Sequence, residues 1–486
     1  MAVKDHLSDR LAELSRLVAG TGGTSPTHDF FARHFGLPGN PFPPPGIADA
    51  TGENPPLRKR DVDTIINFIE RGYTTGQSQF MVIKGEYGSG KTQALRYIEY
   101  VVNNYMNKGD HVARAIYIEN PSLNVQELNR TILRALGQDA VKSYIWFPIY
   151  TMLLQDVQAQ PQRFLDLRKN LLAQRGQRSR GRKQRSPVGI AEMGVKNAPA
   201  MNAPFDDVFN PQTILDYHTF LGTLVGKGWR REDVSPYLTT LLLEAVDLPN
   251  SVSLGQTFVA LLLAANEASF LSWETLLGLT NTRATLPLHA PDFLKFLLRV
   301  MAVNGIVYVY MILDEFEEVS QTALLTARQR QDYLYTMRDV LNDIQQGLSV
   351  IIGISSPGWD ALRVDGVPFA DANHEIISLP RVDIAGAVKL VQFYLDCGRE
   401  GTAYPQGQFS PFSRDLIAYV LDNFPRSAQR TPRNVVQFMH RLLNYAAEHG
   451  ITALTPDVAQ PLLAEFGGMK SGGKRPTRGR GPRDAQ

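Results

Sequence analysis

Residues 85–92 read Gly85-Glu86-Tyr87-Gly88-Ser89-Gly90-Lys91-Thr92, a complete G-x-x-x-x-G-K-[ST] phosphate-binding loop. Each residue type suits that chemistry. Glycines permit the backbone angles that aim several N–H groups at one cluster of phosphate oxygens. A helix starting at the loop's end adds the partial positive charge of its N-terminus. Lys91 would reach the β- and γ-phosphates of a nucleotide, and the Thr92 hydroxyl would ligate magnesium. Further along, the apolar run Val307-Tyr308-Val309-Tyr310-Met311-Ile312-Leu313 ends in Asp314-Glu315. Asp314, at the end of a buried strand, would hold the magnesium, usually through water, and Glu315 would orient or polarise the attacking water. Glu317 and Glu318 follow, so the pair also reads as ordinary loop acids. The phosphate loop upstream favours the first reading.

Such residues need a scaffold, and the hydropathy pattern supplies one. An apolar strand over 79–84 precedes the loop, and a helix over 92–104 follows it. Strands are expected over 113–118, 306–313, 349–354 and 375–379, with helices from about Lys59 and over 125–136. This strand–helix alternation implies a parallel sheet. Residues 138–290 read as a helical insertion between a first core part (57–137) and a second (291–380), with a basic disordered loop at 168–210. Helices over 384–397, 410–423, 432–448 and 456–465 form a helical lid within 381–466. Val3, Leu7, Leu11, Leu14 and Val18 lie at helical spacing in an N-terminal helix. A Pro/Gly-rich arm, completing 1–56, is expected to wrap the surface over 35–56. Residues 467–486 read as a disordered tail. The fold class is therefore α/β, a P-loop parallel sheet with a helical insertion and a C-terminal helical lid.

The 486 residues suggest about three domains, or two with a large insertion. At 43% hydrophobic and 20% charged, the chain is not wholly disordered. The single cysteine, Cys397, excludes an intramolecular disulfide framework and a cysteine-based zinc site. The nine histidines show no metal spacing. No secretory signal or membrane-length apolar run is seen, so a cytoplasmic protein without a membrane partner is expected. The net charge of +2 hides an asymmetry. Residues 168–185 hold eight basic residues and 470–483 six more, with no acid in either. Removing those fourteen leaves 36 basic residues against 48 acids, a body near −12. Basic strips on an acidic body suit the phosphate backbone of double-stranded DNA, bound without sequence preference. They read equally as solvated tails or protein-docking segments.

The order of Lys91 loop, Asp314-Glu315 strand and polar-ended third strand resembles the AAA+ ATPases. Within them it is most similar to the origin-recognition and replication-initiator-like branch, which also includes transposition-regulator and BREX-like phage-defence ATPases. The resemblance covers roughly 57–136 and 290–460, about half the chain. It implies ATP and Mg2+ as cofactors and a homo-oligomer with nucleotide at subunit interfaces. It also gives further residues a role. Arg58-Lys59-Arg60-Asp61 resembles the approach to the adenine pocket. Ser356, ending Ile351-Ile352-Gly353-Ile354-Ser355-Ser356, resembles the sensor-1 position, where the family prefers Asn. Arg363 stands where an arginine finger projects toward a neighbouring nucleotide. Arg433, in Thr431-Pro432-Arg433-Asn434, resembles sensor 2. On the residues alone, these three read as well as turn chemistry, a surface arginine and helix-start chemistry. About twenty residues follow the lid, which leaves no room for the winged-helix domain usual in initiators.

These observations give an expected function: ATP binding with slow, partner-stimulated hydrolysis. The protein would act on DNA in a phage-defence, mobile-element or replication-related system. The alternative is an ATP-gated oligomerisation switch that recruits a protein effector through the insertion or N-terminal helix. A DNA translocase is the third reading, weakened by the lack of a second motor domain.

Overall fold

The computed structural model describes residues 30–43, 58–106, 112–121, 124–183, 203–264, 292–321, 326–364, 374–399, 407–425 and 430–468. The expected helix over 3–18, the arm over 44–56 and the tail over 470–483 lie outside the described residues. After a π-helical turn, Phe31–Phe35, come α1 (Lys59–Thr75), β1 (Gln79–Gly85), α2 (Lys91–Tyr105), β2 (Val112–Ile118) and α3 (Val125–Leu136). The inserted segment contributes α4 (Gln138–Ala159), α5 (Gln162–Lys183), α6 (Ala203–Val208), α7 (Pro211–Ile214), α8 (Tyr217–Gly226), α9 (Arg231–Ala245) and α10 (Val252–Leu263). Then follow α11 (Phe293–Val303), β3 (Ile306–Leu313), α12 (Glu317–Gln321), α13 (Ala327–Asp343), β4 (Leu348–Ile354), α14 (Ser356–Val364) and β5 (His374–Leu379). The last helices are α15 (Ile384–Arg399), α16 (Arg414–Asp422), α17 (Pro432–Glu448) and α18 (Pro456–Gly468).

The strands form one five-stranded parallel sheet in the order β2-β3-β4-β1-β5. In β2–β3 the register puts Tyr117 beside Ile312 and Ile118 beside Leu313. In β3–β4 it puts Leu313 beside Ile352. Strand β4 is buried at every residue and β3 at all but Val307, as befits strands covered on both faces. The α/β class expected from the sequence is the class observed.

The chain divides into two compact units. The larger comprises 64–83 and 95–377. It holds most of the sheet and the inserted helices in a single hydrophobic core, which joins Ile116 and Met311 of the sheet to Trp146, Phe220 and Leu241 of the insertion. Asn304, after α11, donates its side-chain amide to the Tyr144 carbonyl in α4 at 2.8 Å. The insertion shares the core of the sheet. The expectation of a disordered loop at 168–210 needs correction, because α5 continues to Lys183 and α6 starts at Ala203. Leu167 and Leu171 are buried at helical spacing, Arg163 pairs with Asp156 at 2.7 Å, and arginine and glutamine are good helix formers. Residues 184–202 lie outside the described residues.

The smaller unit comprises 1–63, 84–94 and 378–486. Its core joins α15 to α18 and also takes in Phe31, Phe35, Leu37 and Phe42. Residues 35–43 were expected to wrap the surface, yet Phe35, Leu37 and Phe42 are only 1–2% exposed. Asn40 fixes this segment to α17, donating to the His440 carbonyl and to Asn444 Oδ1 at 2.9 and 2.8 Å. An aromatic-rich segment buries itself where apolar area is on offer, whatever its proline content.

Candidate functional site

The phosphate loop belongs to the smaller unit. Strand β1 ends at Gly85, and α2 begins at Lys91, so the loop's last residues sit at a helix N-terminus. Gly88 and Gly90 have φ of +78° and +96°. At Gly88 a Cβ would also approach Arg433 Cβ and Thr431 Oγ1 to 3.0 Å, so a side chain there would be strained by its backbone angle and would crowd two neighbours. Lys91 is buried, and its Nζ donates to the carbonyls of Gly85 and Glu86 at 3.2 and 3.4 Å. Ser89 Oγ is buried with no hydrogen-bond partner. An unsatisfied buried hydroxyl costs about 1–3 kcal/mol, which a phosphate oxygen would recover. Glu86 is half-buried and Thr92 exposed. Orphan hydroxyl, ammonium and helix N-terminus form a donor set that fits a phosphate group.

Arg433 lies over this loop. The Arg433 N–H donates to the Gly88 carbonyl at 3.3 Å, and the guanidinium carbon lies 4.6 Å from the centre of the Tyr87 ring. Tyr87 is 74% exposed, which suits a cation–π contact at the surface. Thr431 caps α17, its Oγ1 accepting from the Asn434 N–H at 3.3 Å. Arg58 donates to the Ser378 carbonyl at the end of β5 and pairs with Asp61 at 2.7 Å.

The acidic residues belong to the larger unit. Asp314 is 2% exposed at the end of β3. Oδ1 accepts the Glu315 N–H at 2.9 Å, and Oδ2 accepts the Tyr117 hydroxyl at 2.7 Å. Each oxygen retains a lone-pair site, enough for a water-mediated cation. On β4, a Cβ at Gly353 would lie 2.8 Å from Asp314 Oδ1 and 2.6 Å from Leu95 Cδ1, so the glycine makes room for the carboxylate. Glu315 is exposed and has φ of +51°, a strained angle for a residue with a side chain. Burial of part of its carboxyl, then the charges of Asp314, Glu318, Glu317 and Glu119, push its pKa up, which strengthens it as a base. Burial and the adjacent Asp314 charge hold the Tyr117 phenol firmly protonated.

Ser356 opens α14, while Ser355 caps it by accepting the Gly358 N–H at 3.2 Å. The Ser355 N–H donates to Glu317 at 3.1 Å. Arg363 falls on the last turn of α14, and its side chain lies outside the described residues. In the basic run, Arg168 pairs with Asp206 at 3.3 Å and lies 5.4 Å over the Phe205 ring. The side chains of 174–185 lie outside the described residues.

Sequence reasoning missed two of these residues. Tyr117 gave no signal, being one aromatic in a strand. Gly353 interrupts an apolar run and so did carry one. Tyr87 was named with the loop, but its variable position in the motif says nothing about its contact with Arg433.

No protein-family model matches the sequence, and no curated protein matches it. Among solved structures the chain is similar to the ADP form of the ORC2 protein of Aeropyrum pernix. That match has 12% identity and a TM-score of 0.39, covering 87% of this chain and 70% of that one. A second structure of the same protein, in ADPNP–ADP complexes, gives the same identity and TM-score over 87% and 69% of the two chains.

Proposed function

We propose that this chain is a Mg2+-dependent, ATP-binding ATPase of the AAA+ type. The observation that carries the reading is the loop itself. An orphan buried Ser89 hydroxyl and a buried Lys91 ammonium flank a helix N-terminus in a complete phosphate-loop sequence. In this reading Gly85 to Gly90 cradle the phosphates with their N–H groups, Lys91 binds the β- and γ-phosphates, and Arg433 contacts the γ-phosphate. Thr92 and Asp314 would hold magnesium, which supplies charge neutralisation on the phosphate oxygens. Glu315 takes the proton of the attacking water, Ser356 helps place that water, and Arg363 acts on a neighbouring copy's nucleotide in a homo-oligomer. Double-stranded DNA is the proposed partner, bound by 168–185 and 470–483 in a phage-defence, mobile-element or replication-related setting in the cytoplasm.

ATP binding and turnover, measured with and without double-stranded DNA, test this. Lys91→Ala should weaken ATP binding by at least about 100-fold, the equivalent of losing roughly 3 kcal/mol of charged hydrogen bonds. Glu315→Gln should keep binding and lower turnover by about 10²–10⁴-fold. ATP affinity unchanged in Lys91→Ala would sink the reading. A second reading, a switch that holds ATP and recruits a protein effector, draws support from Asp314, whose two oxygens both already accept hydrogen bonds within the chain. Tight ATP binding with no turnover and no DNA effect would favour it.

A further inference from the structure

A second polar site lies at the free edge of the sheet. Strand β2 is an edge strand, and a cavity of about 300 Å³ opens beside it, lined by Arg96, Glu99, Asn103, Arg114, Tyr117 and Glu119. Asn103 occupies the strand edge at Ala115, with its Oδ1 accepting the Ala115 N–H at 3.0 Å and its Nδ2 donating to the Ala115 carbonyl at 3.4 Å. Arg114 Nε is buried and has no hydrogen-bond partner. Arg96 pairs with Glu99 at 2.8 Å, and its guanidinium carbon lies 3.4 Å from the centre of the Tyr117 ring. The far end of that ring is the hydroxyl donating to Asp314.

Two guanidinium groups line the cavity, one with an orphan N–H, and each presents planar donors suited to a phosphate or carboxylate. Glu99 and Glu119 in the same wall disfavour a polyanion and accept hydrogen bonds. The ligand class is therefore a small molecule with one oxyanion and a hydrogen-bond-donating group. A cation over the ring face draws electron density from the phenol and strengthens its O–H as a donor. An oxyanion that engages Arg96 weakens this influence and loosens the hold of Tyr117 on Asp314. We propose that this cavity is an effector site for a small oxyanion, communicating with Asp314 through Arg96 and Tyr117.

The coupling half rests on the nucleotide reading, whereas the binding half does not. Binding is tested in Lys91→Ala protein, whose phosphate loop no longer competes, by calorimetry with inorganic phosphate and, separately, acetate. Saturable binding of either, lost in Arg114→Gln and weakened in Arg114→Lys, is expected, and the tighter probe identifies the group. No saturable binding, or equal binding in Arg114→Gln, overturns the site. Unchanged thermal midpoints show that the variants fold. For the coupling, phosphate is added to the wild-type chain with ATP saturating, and the Mg2+ midpoint of nucleotide binding is read. A fall of about fivefold that disappears in Tyr117→Phe is expected. No shift, or the same shift in Tyr117→Phe, overturns the coupling. A wild-type chain that fails to bind ATP overturns the nucleotide reading, and the Lys91→Ala titration then decides the cavity by itself.

Discussion

Lys142 shows how one buried charge leaves a measurable mark. It is completely buried in the larger unit, and its Nζ donates to the Ala264 carbonyl at 2.7 Å. Arg231 donates to the neighbouring Leu263 carbonyl at 2.7 Å. Both cations thus serve the C-terminal carbonyls of α10, which carry partial negative charge and lack intrahelical partners. Burial, and then the nearby Arg231 charge, lower the Lys142 pKa from 10.5 to about 8. Between those values the unfolded chain binds more protons, so stability rises with pH across the window and is independent of this group below it, where both states are protonated. Relative to Lys142→Met, the wild-type chain should gain roughly 3 kcal/mol between pH 7 and pH 10.5. Denaturant titrations of both proteins at the two pH values check this. Parallel stability curves would show that Lys142 carries no such penalty. At Asp314 and Glu315 a buried, doubly bonded carboxylate is followed by an exposed one on a strained backbone.

Among the elements, the segment around residues 31–42 departs furthest from its sequence pattern. Phe42 is 1% exposed, with its ring 5.5 Å from that of Tyr394 and 5.8 Å from that of Phe412. His440 Nδ1 lies 2.7 Å from the Phe42 carbonyl. Phe42→Ala should therefore destabilise the smaller unit by about 3–5 kcal/mol, the usual range for a buried aromatic truncated to alanine. Amide exchange would show this as lost protection in α15 and α17. Unchanged protection would mean that the segment rests on the helices without supporting them. Helix α5 departs in the other direction, staying helical through a run dense in arginine. Leucines at one spacing decided it, whereas composition had suggested a loop.

On the scale of the whole molecule, charge separation is the property to test. The two basic strips carry fourteen cations on a body near −12, and Arg168 is already committed to Asp206 and Phe205. DNA affinity should fall with salt, and neutralising Arg175, Arg178, Arg180, Arg182, Lys183 and Arg185 should flatten the log–log salt slope by up to about 5. Filter binding across a salt series measures that slope. A slope unaltered by the substitutions would move the DNA contact elsewhere or remove it.

The phosphate loop, the acidic strand end and nearly every described strand and lid helix were legible from the sequence. Each depends on spacing within one short segment: a motif of eight residues, an apolar run, a period of 3.6. Tertiary structure alone decided which faces meet. It placed the Tyr117 hydroxyl on Asp314, 197 positions away in the chain, and grouped the phosphate loop with the lid helices. It also merged the insertion's core with that of the sheet and buried the aromatic arm. Periodicity tells which side of an element is apolar, but every apolar side is equally ready to bury itself against any other. The partner is selected only when the whole chain is packed at close density.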